Sequence, residues 1–254
     1  MIYQIVSNCI RTSIRSVSLI LCLIPATTRG DSPRPVNAPN TVTTTPVIIV
    51  GFVGGFVRHD DMVHGSVQAA AHLRQDCPSG VHVEVLENRR RETAHAEIMR
   101  FVDIDRNGTL SAEEKRNARI ILYGHSWGAS EAVTLARELG REGIPVLLTV
   151  QVDSVPKPGE NDRDIPANVA EAANFYELDG LLHGRPQIRA ADPTRTHIIG
   201  NFRIDYKANP IRCEQYPWWD RVFVKAHTEM ECDPKVWSQV ESLIQSRLPQ
   251  PHQP

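Results

Sequence analysis

One short run of this sequence pairs residue type and spacing in a way that does chemistry. Gly124-His125-Ser126-Trp127-Gly128 matches G-x-S-x-G. The run before it, 118–123, is apolar and reads as a buried strand, and 130–139 reads as a helix. A serine on a strand-to-helix turn is forced into a strained conformation, which projects its hydroxyl above the sheet edge. Small neighbours are needed there, and Gly124 and Gly128 let strand and helix approach without a clash. The backbone N–H of Trp127, at the helix N-terminus, points where an oxyanion would form. The chemistry implied is acyl transfer through Ser126.

The elements around this turn alternate. Strands are predicted at 47–50, 81–86, 118–123 and 145–152, with helices at 63–75, 92–102 and 130–139 between them. Strands buried on both faces read as apolar runs, and crossover helices make the sheet parallel. The later part is less regular. Residues 168–176 read as a helix leading into a strand, 196–207 as strand-like, and 234–248 as a closing amphipathic helix with Pro234 in its first turn. The fold class is α/β, with a mostly parallel central sheet and helices on both faces.

With this motif in this setting, the chain resembles the α/β-hydrolase superfamily of esterases, lipases and thioesterases over most of 47–248. The resemblance implies a second oxyanion donor from the loop after the first core strand, Ile49-Val50-Gly51-Phe52-Val53-Gly54-Gly55. By that alignment it is the N–H of Phe52, although many relatives carry His-Gly where this chain has Val50-Gly51. The superfamily's order of serine, acid, histidine restricts the base to His183, His197, His227 or His252. His227, just before the final helix, matches the superfamily's position, and the others read as structural or tail residues. For the acid, Asp153 ends the strand after the elbow helix, on the serine's side of the sheet. Asp179 and Asp205, near later strands, are the alternatives.

A second run has ligand spacing. Asp103-Ile104-Asp105-Arg106-Asn107-Gly108-Thr109-Leu110-Ser111-Ala112-Glu113-Glu114 fits D-x-[DN]-x-[DN]-G-x5-E at every specified position. It resembles an EF-hand loop inserted before the elbow strand. That resemblance implies calcium held by Asp103, Asp105, Asn107, the Thr109 carbonyl and Glu114, with Ser111 acting through water. There is no second loop to pair with, and Lys115 stands where such loops usually carry an apolar residue. A structural ion is expected rather than a sensor, and no organic cofactor.

Composition bounds the rest. The 254 residues are 41% hydrophobic and 23% charged, ordinary globular usage. A formal charge of -2 and the lack of a basic stripe give no pull toward nucleic acid. Arg11 and Arg15, the apolar run 17–24 and then Pro25-Ala26 describe a secretory signal peptide over 1–29, too short to span a bilayer. Export to the periplasm or outside the cell is the expectation. Residues 30–46, rich in Pro and Thr, read as an extended linker, and 47–250 as the hydrolase domain carrying the loop at 103–114. Outside the leader, Cys213 and Cys232 flank a single loop and are the expected disulfide, which leaves Cys77 as a lone buried thiol. Trp218 and Trp219, inside that loop, fit either an acyl pocket or the core.

The expected function is a serine hydrolase acting on a carboxylic ester or thioester, its substrate a small molecule or lipid-like acyl compound. Two rivals keep the fold: a non-catalytic binding protein, and an amidase or peptidase using the same triad. The motif alone does not separate them.

Overall fold

The computed structural model describes residues 45–249. The leader, nearly all of the linker, Cys9, Cys22 and His252 lie outside the described residues.

In chain order the elements are β1 (Val47–Val53), α1 (Gly65–Asp76), β2 (Val81–Glu87), α2 (Arg91–Val102), α3 (Ala112–Asn117), β3 (Arg119–His125) and α4 (Trp127–Arg141). There follow β4 (Val146–Val152), β5 (Asp164–Ile165), β6 (Val169–Tyr176), β7 (Arg189–Ala190), β8 (His197–Arg203), α5 (Trp218–Phe223), α6 (Lys225–Cys232) and α7 (Pro234–Gln245). Six strands form one sheet in the order β2-β1-β3-β4-β6-β8, parallel throughout, and β5 pairs with β7 apart from it. The sheet is of the expected α/β class, parallel with helices on both faces.

Alternation along the strands sorts the core into two layers, because successive side chains leave a strand on opposite faces. Val47, Ile49, Ile121, Tyr123, Val150 and Val152 face α1, α6 and α7. Ile48, Val50, Phe52, Ile120 and Leu122 face α2 and α4. With helices covering both faces, the strands are apolar at nearly every position, and that makes them legible as continuous runs.

Residues 168–176 correct one expectation. The Ala-rich segment forms strand β6 from Val169 onward, with no helix before it. Its intrinsic helix preference is overridden by pairing with β4 on one side and β8 on the other. The Arg89-Arg90-Arg91 run is at a helix start as expected, but Arg91 is not merely solvated: it pairs with buried Glu131 on α4. Cys77 is half-buried, at the end of α1. Among the described residues no helix is long and apolar enough to cross a membrane.

Candidate active site

Ser126 stands between β3 and α4 with φ 54° and ψ -124°. Such a backbone is costly for a side chain and persists only where the surroundings impose it. Here the Ser126 N–H donates to the Val152 carbonyl at 3.0 Å, while its own carbonyl accepts from Ala129 and Val155. The motif glycines are required by contact. A Cβ on Gly128 would lie 2.2 Å from the Phe52 carbonyl oxygen, and one on Gly124 2.5 Å from the Gly128 backbone. The Trp127 N–H opens α4 and so has no intrahelical acceptor.

His227 and Asp153 meet beside this turn. The His227 Nδ1–H donates to Asp153 Oδ2 at 2.5 Å, and both side chains are buried. Asp153 follows β4 at φ 45°, a second strained position. Its other oxygen accepts from the N–H of Gly184 at 2.7 Å and of Glu177 at 3.2 Å. A carboxylate held this way is oriented as well as paired. The alternatives lie elsewhere in role: Asp179 accepts from the N–H groups of Tyr206 and Lys207, and Asp205 from that of Ala208, so both tie loops together. His183 sits on the loop beside Gly184, and His197 opens β8 facing solvent.

The second oxyanion position needs correction. Phe52 lies inside β1, in register with Leu86 of β2 and Gly124 of β3, so its N–H belongs to the sheet ladder. Gly54, just past the strand, is the residue that reaches the serine: a Cβ there would be 3.0 Å from Ser126 Cβ. Strand length hid this, because β1 runs three residues beyond the β-branched run that marked it in the sequence.

Two buried carboxyl groups that sequence reasoning missed border the site. The His125 ring is 4.5 Å from that of His227, centroid to centroid, and its Nδ1 is 2.7 Å from Glu231 Oε2. Glu231 is on α6, one turn after His227. Glu177, which follows β6, is fully buried, and burial followed by repulsion from Asp153 raises its carboxyl above the usual range. Both are acidic residues in polar-looking segments, so nothing in the sequence marked them as buried.

Several large apolar side chains on neighbouring loops and on α5 are exposed. Phe56, next to Gly55, packs edge-on to Trp127 with centroids 5.6 Å apart, and is itself 84% exposed. Leu181 and Leu182 are on the loop that brings Gly184 to Asp153. Trp218 and Trp219 do not pack in the core; they are 60% and 52% exposed on α5, a helix with no buried residue. Cys213 and Cys232 are joined by a disulfide that spans α5 and the His227 helix. Thr228 Oγ1 donates to the carbonyls of Asp220 and Val224, fastening α5 to α6.

Apart from this site, the loop 103–114 brings Asp103, Asp105 and Glu114 together, one carboxylate oxygen of each lying within 4.8 Å of the others. Asn107 accepts from Thr109 through its side-chain oxygen, and Asp103 accepts from the N–H groups of Asn107 and Gly108. Glu114 accepts from the Ile104 N–H and, at its second oxygen, from Ser111.

No protein-family model matches the chain, and no curated protein matches it. Among solved structures it is similar to RedJ with a PEG molecule bound in the active site, at 13% identity over 81% of this chain and 95% of that one, TM-score 0.33. It is similar to the dienelactone hydrolase from Anabaena variabilis at 13% identity, over 80% and 86% of the two chains, TM-score 0.39. The RedJ thioesterase from the prodiginine biosynthetic pathway in Streptomyces coelicolor is 13% identical, over 85% and 92%, TM-score 0.39.

Proposed function

We propose that the chain is a serine hydrolase that cleaves a carboxylic ester or thioester through an acyl-enzyme on Ser126. The observation that carries this reading is the buried hydrogen bond from His227 to Asp153, made beside a serine held at φ 54°. A binding module has no need of a strained serine, a histidine and an orienting carboxylate at one sheet edge.

In the reaction, His227 Nε2 takes the Ser126 proton as Oγ attacks the acyl carbonyl. The oxyanion is held by the Trp127 N–H and by the backbone at Gly54–Gly55, a role that Phe52 is placed too far inside β1 to fill. His227 then returns the proton to the leaving oxygen or sulfur, and the alcohol or thiol departs. Water, deprotonated by His227, attacks the acyl-enzyme and releases the carboxylic acid. Asp153 keeps the Nδ1–H tautomer and stabilises the imidazolium formed in each half. Exposed Phe56, packed on Trp127 beside the nucleophile, supports an apolar, lipid-like acyl group.

A fluorophosphonate probe tests the assignment. Labelling is expected for the wild-type chain and absent from Ser126→Ala. A folded, calcium-loaded wild type that does not label supports the non-catalytic reading instead, and relative rates on matched ester, thioester and amide substrates separate esterase from amidase.

We further propose that the loop 103–114 holds a structural calcium through Asp103, Asp105, Asn107, the Thr109 carbonyl and Glu114. Three converging carboxylates, none of them in an ion pair with a described Lys or Arg, support this. Export is proposed from the leader, and the Cys213–Cys232 disulfide is compatible with an oxidising compartment.

A further inference from the structure

The catalytic reading leaves His125 and Glu231 without a task, and both are costly to bury. Glu231 is 3% exposed and His125 6%. Glu231 Oε2 approaches His125 Nδ1 at 2.7 Å, and Oε1 accepts from Ser66 Oγ at 3.2 Å with His64 Nδ1 at 3.4 Å. Neither Glu231 Oε2 nor His125 Nε2 has a well-directed hydrogen bond among the described residues. A purely structural polar pair is normally satisfied on all its atoms. An incompletely satisfied pair packed against the histidine that meets Asp153 points to electrostatics aimed at that histidine.

We propose that His125 and Glu231 are positioning residues, a second histidine–carboxylate pair that walls His227 in place and supplies a fixed negative charge behind the imidazolium. This rests on the serine-hydrolase reading. The His125 ring lies against the His227 ring, and the carboxylate lies beyond it on the same helix face as His227, one turn on. The titratable groups facing the pair come from several elements: His227 from α6, Asp153 from the end of β4, Tyr123 from β3, Tyr216 from the segment before α5, and from the N-cap of α1 His64, which is 3.8 Å from Asp61 and edge-on to Tyr216; Glu177 faces His227 from the end of β6. Burial, above all, disfavours charge on His125, and although burial also opposes charge on Glu231, its histidine neighbours outweigh it and keep the carboxyl ionised. The carboxylate end of the pair is joined to the base through the His125 ring. An imidazolium forming on His227 is stabilised by Asp153 on one side and by this second anion across the His125 ring.

The test is the pH profile of p-nitrophenyl acetate hydrolysis by the full chain. Glu231→Gln keeps the shape and removes the charge. Its acid limb is expected to move to lower pH by about one unit, because the protonated base loses an anion, with kcat down about tenfold and KM within about twofold. The double variant His125→Phe/Glu231→Leu replaces the buried pair by apolar groups, a change cores often tolerate, and is expected to show the same shift should Glu231→Gln fail to fold. An active wild type whose acid limb stays put in the folded variant overturns the pair and leaves the hydrolase reading standing. A wild type that neither turns over ester nor labels with a fluorophosphonate overturns the hydrolase reading, and the pair falls with it.

Discussion

Asp153 holds three hydrogen bonds at a backbone conformation few residues tolerate, and its neighbour Glu177 is a carboxyl buried against it. Their environments push them toward different tasks. Asp153 is positioned to accept from His227, so Asp153→Asn, which would present the wrong tautomeric partner, is expected to lower kcat by about 10^4-fold with near-UV circular dichroism unchanged. Glu177 accepts from the Gly180 N–H and, at the same oxygen, from that of Asp179, and burial raises its carboxyl. The folded chain then holds that proton to higher pH than the unfolded chain does. The group's contribution to stability is full below the ordinary carboxylate range and is lost as pH climbs through the raised value. Glu177→Gln never ionises. It is expected to raise Tm by roughly 2–4 °C at pH 8 and to change it little at pH 4, as read by differential scanning fluorimetry.

At the level of elements, the close crossing of α4 over β1 and β3 is what makes the serine turn possible. Gly128→Ala would drive a methyl group into the Phe52 carbonyl at 2.2 Å, a backbone atom that cannot swing away. A loss of about 3 kcal/mol is expected in urea melts, at the upper end for overpacking. The α5–α6 segment depends on a different restraint. The disulfide closes a loop with a sequence separation of 19, around a helix that buries no residue of its own. The chain-entropy cost of opening it is roughly 3 kcal/mol. Reduction, or Cys213→Ser/Cys232→Ser, is expected to lower Tm by roughly 6–10 °C and to slow turnover, since His227 lies within the bridged segment. A melting curve indifferent to reductant would show that packing of α6 alone secures the histidine.

For the molecule as a whole, the site lies where the strand order reverses. The chain runs outward from β1 to β2, then crosses back to β3 on the other side of β1. Loops after β1 and β3 leave the sheet in opposite directions there and open a crevice at its C-terminal edge, the usual place for ligands in such sheets. Gly54 comes from one loop and Ser126 from the other. Loops after β4 and β6 reach the same edge, with Asp153 following β4 and Gly184 donating to it. The loop 103–114 stands just before β3, so an ion there would brace the segment that feeds the elbow strand. Titration calorimetry with calcium is expected to show one site per chain and an accompanying rise in Tm, both abolished in Asp103→Ala/Glu114→Ala. No heat on adding calcium to chelator-treated protein would remove the site.

The sequence by itself determined the parallel sheet, the serine turn and the candidate triad. Strands buried on both faces must be apolar throughout, and a nucleophile elbow must be flanked by glycines, so both leave marks in residue type. The elements that failed to show were those whose conformation is decided by neighbours distant in the chain. Residues 169–176 are a strand only because β4 and β8 flank them, and Phe52 lies inside the sheet while Gly54 meets the serine only because β2 and β3 keep β1 paired along its length. The same holds for Glu177 and Glu231. An acidic residue in sequence reads as a solvated one, and only the tertiary structure, which sets Glu231 among Ser66, His64 and His125 and Glu177 behind Asp153, makes these carboxyl groups part of the site. Burial is a property of the assembled layers, and electrostatic coupling in a buried site follows from it.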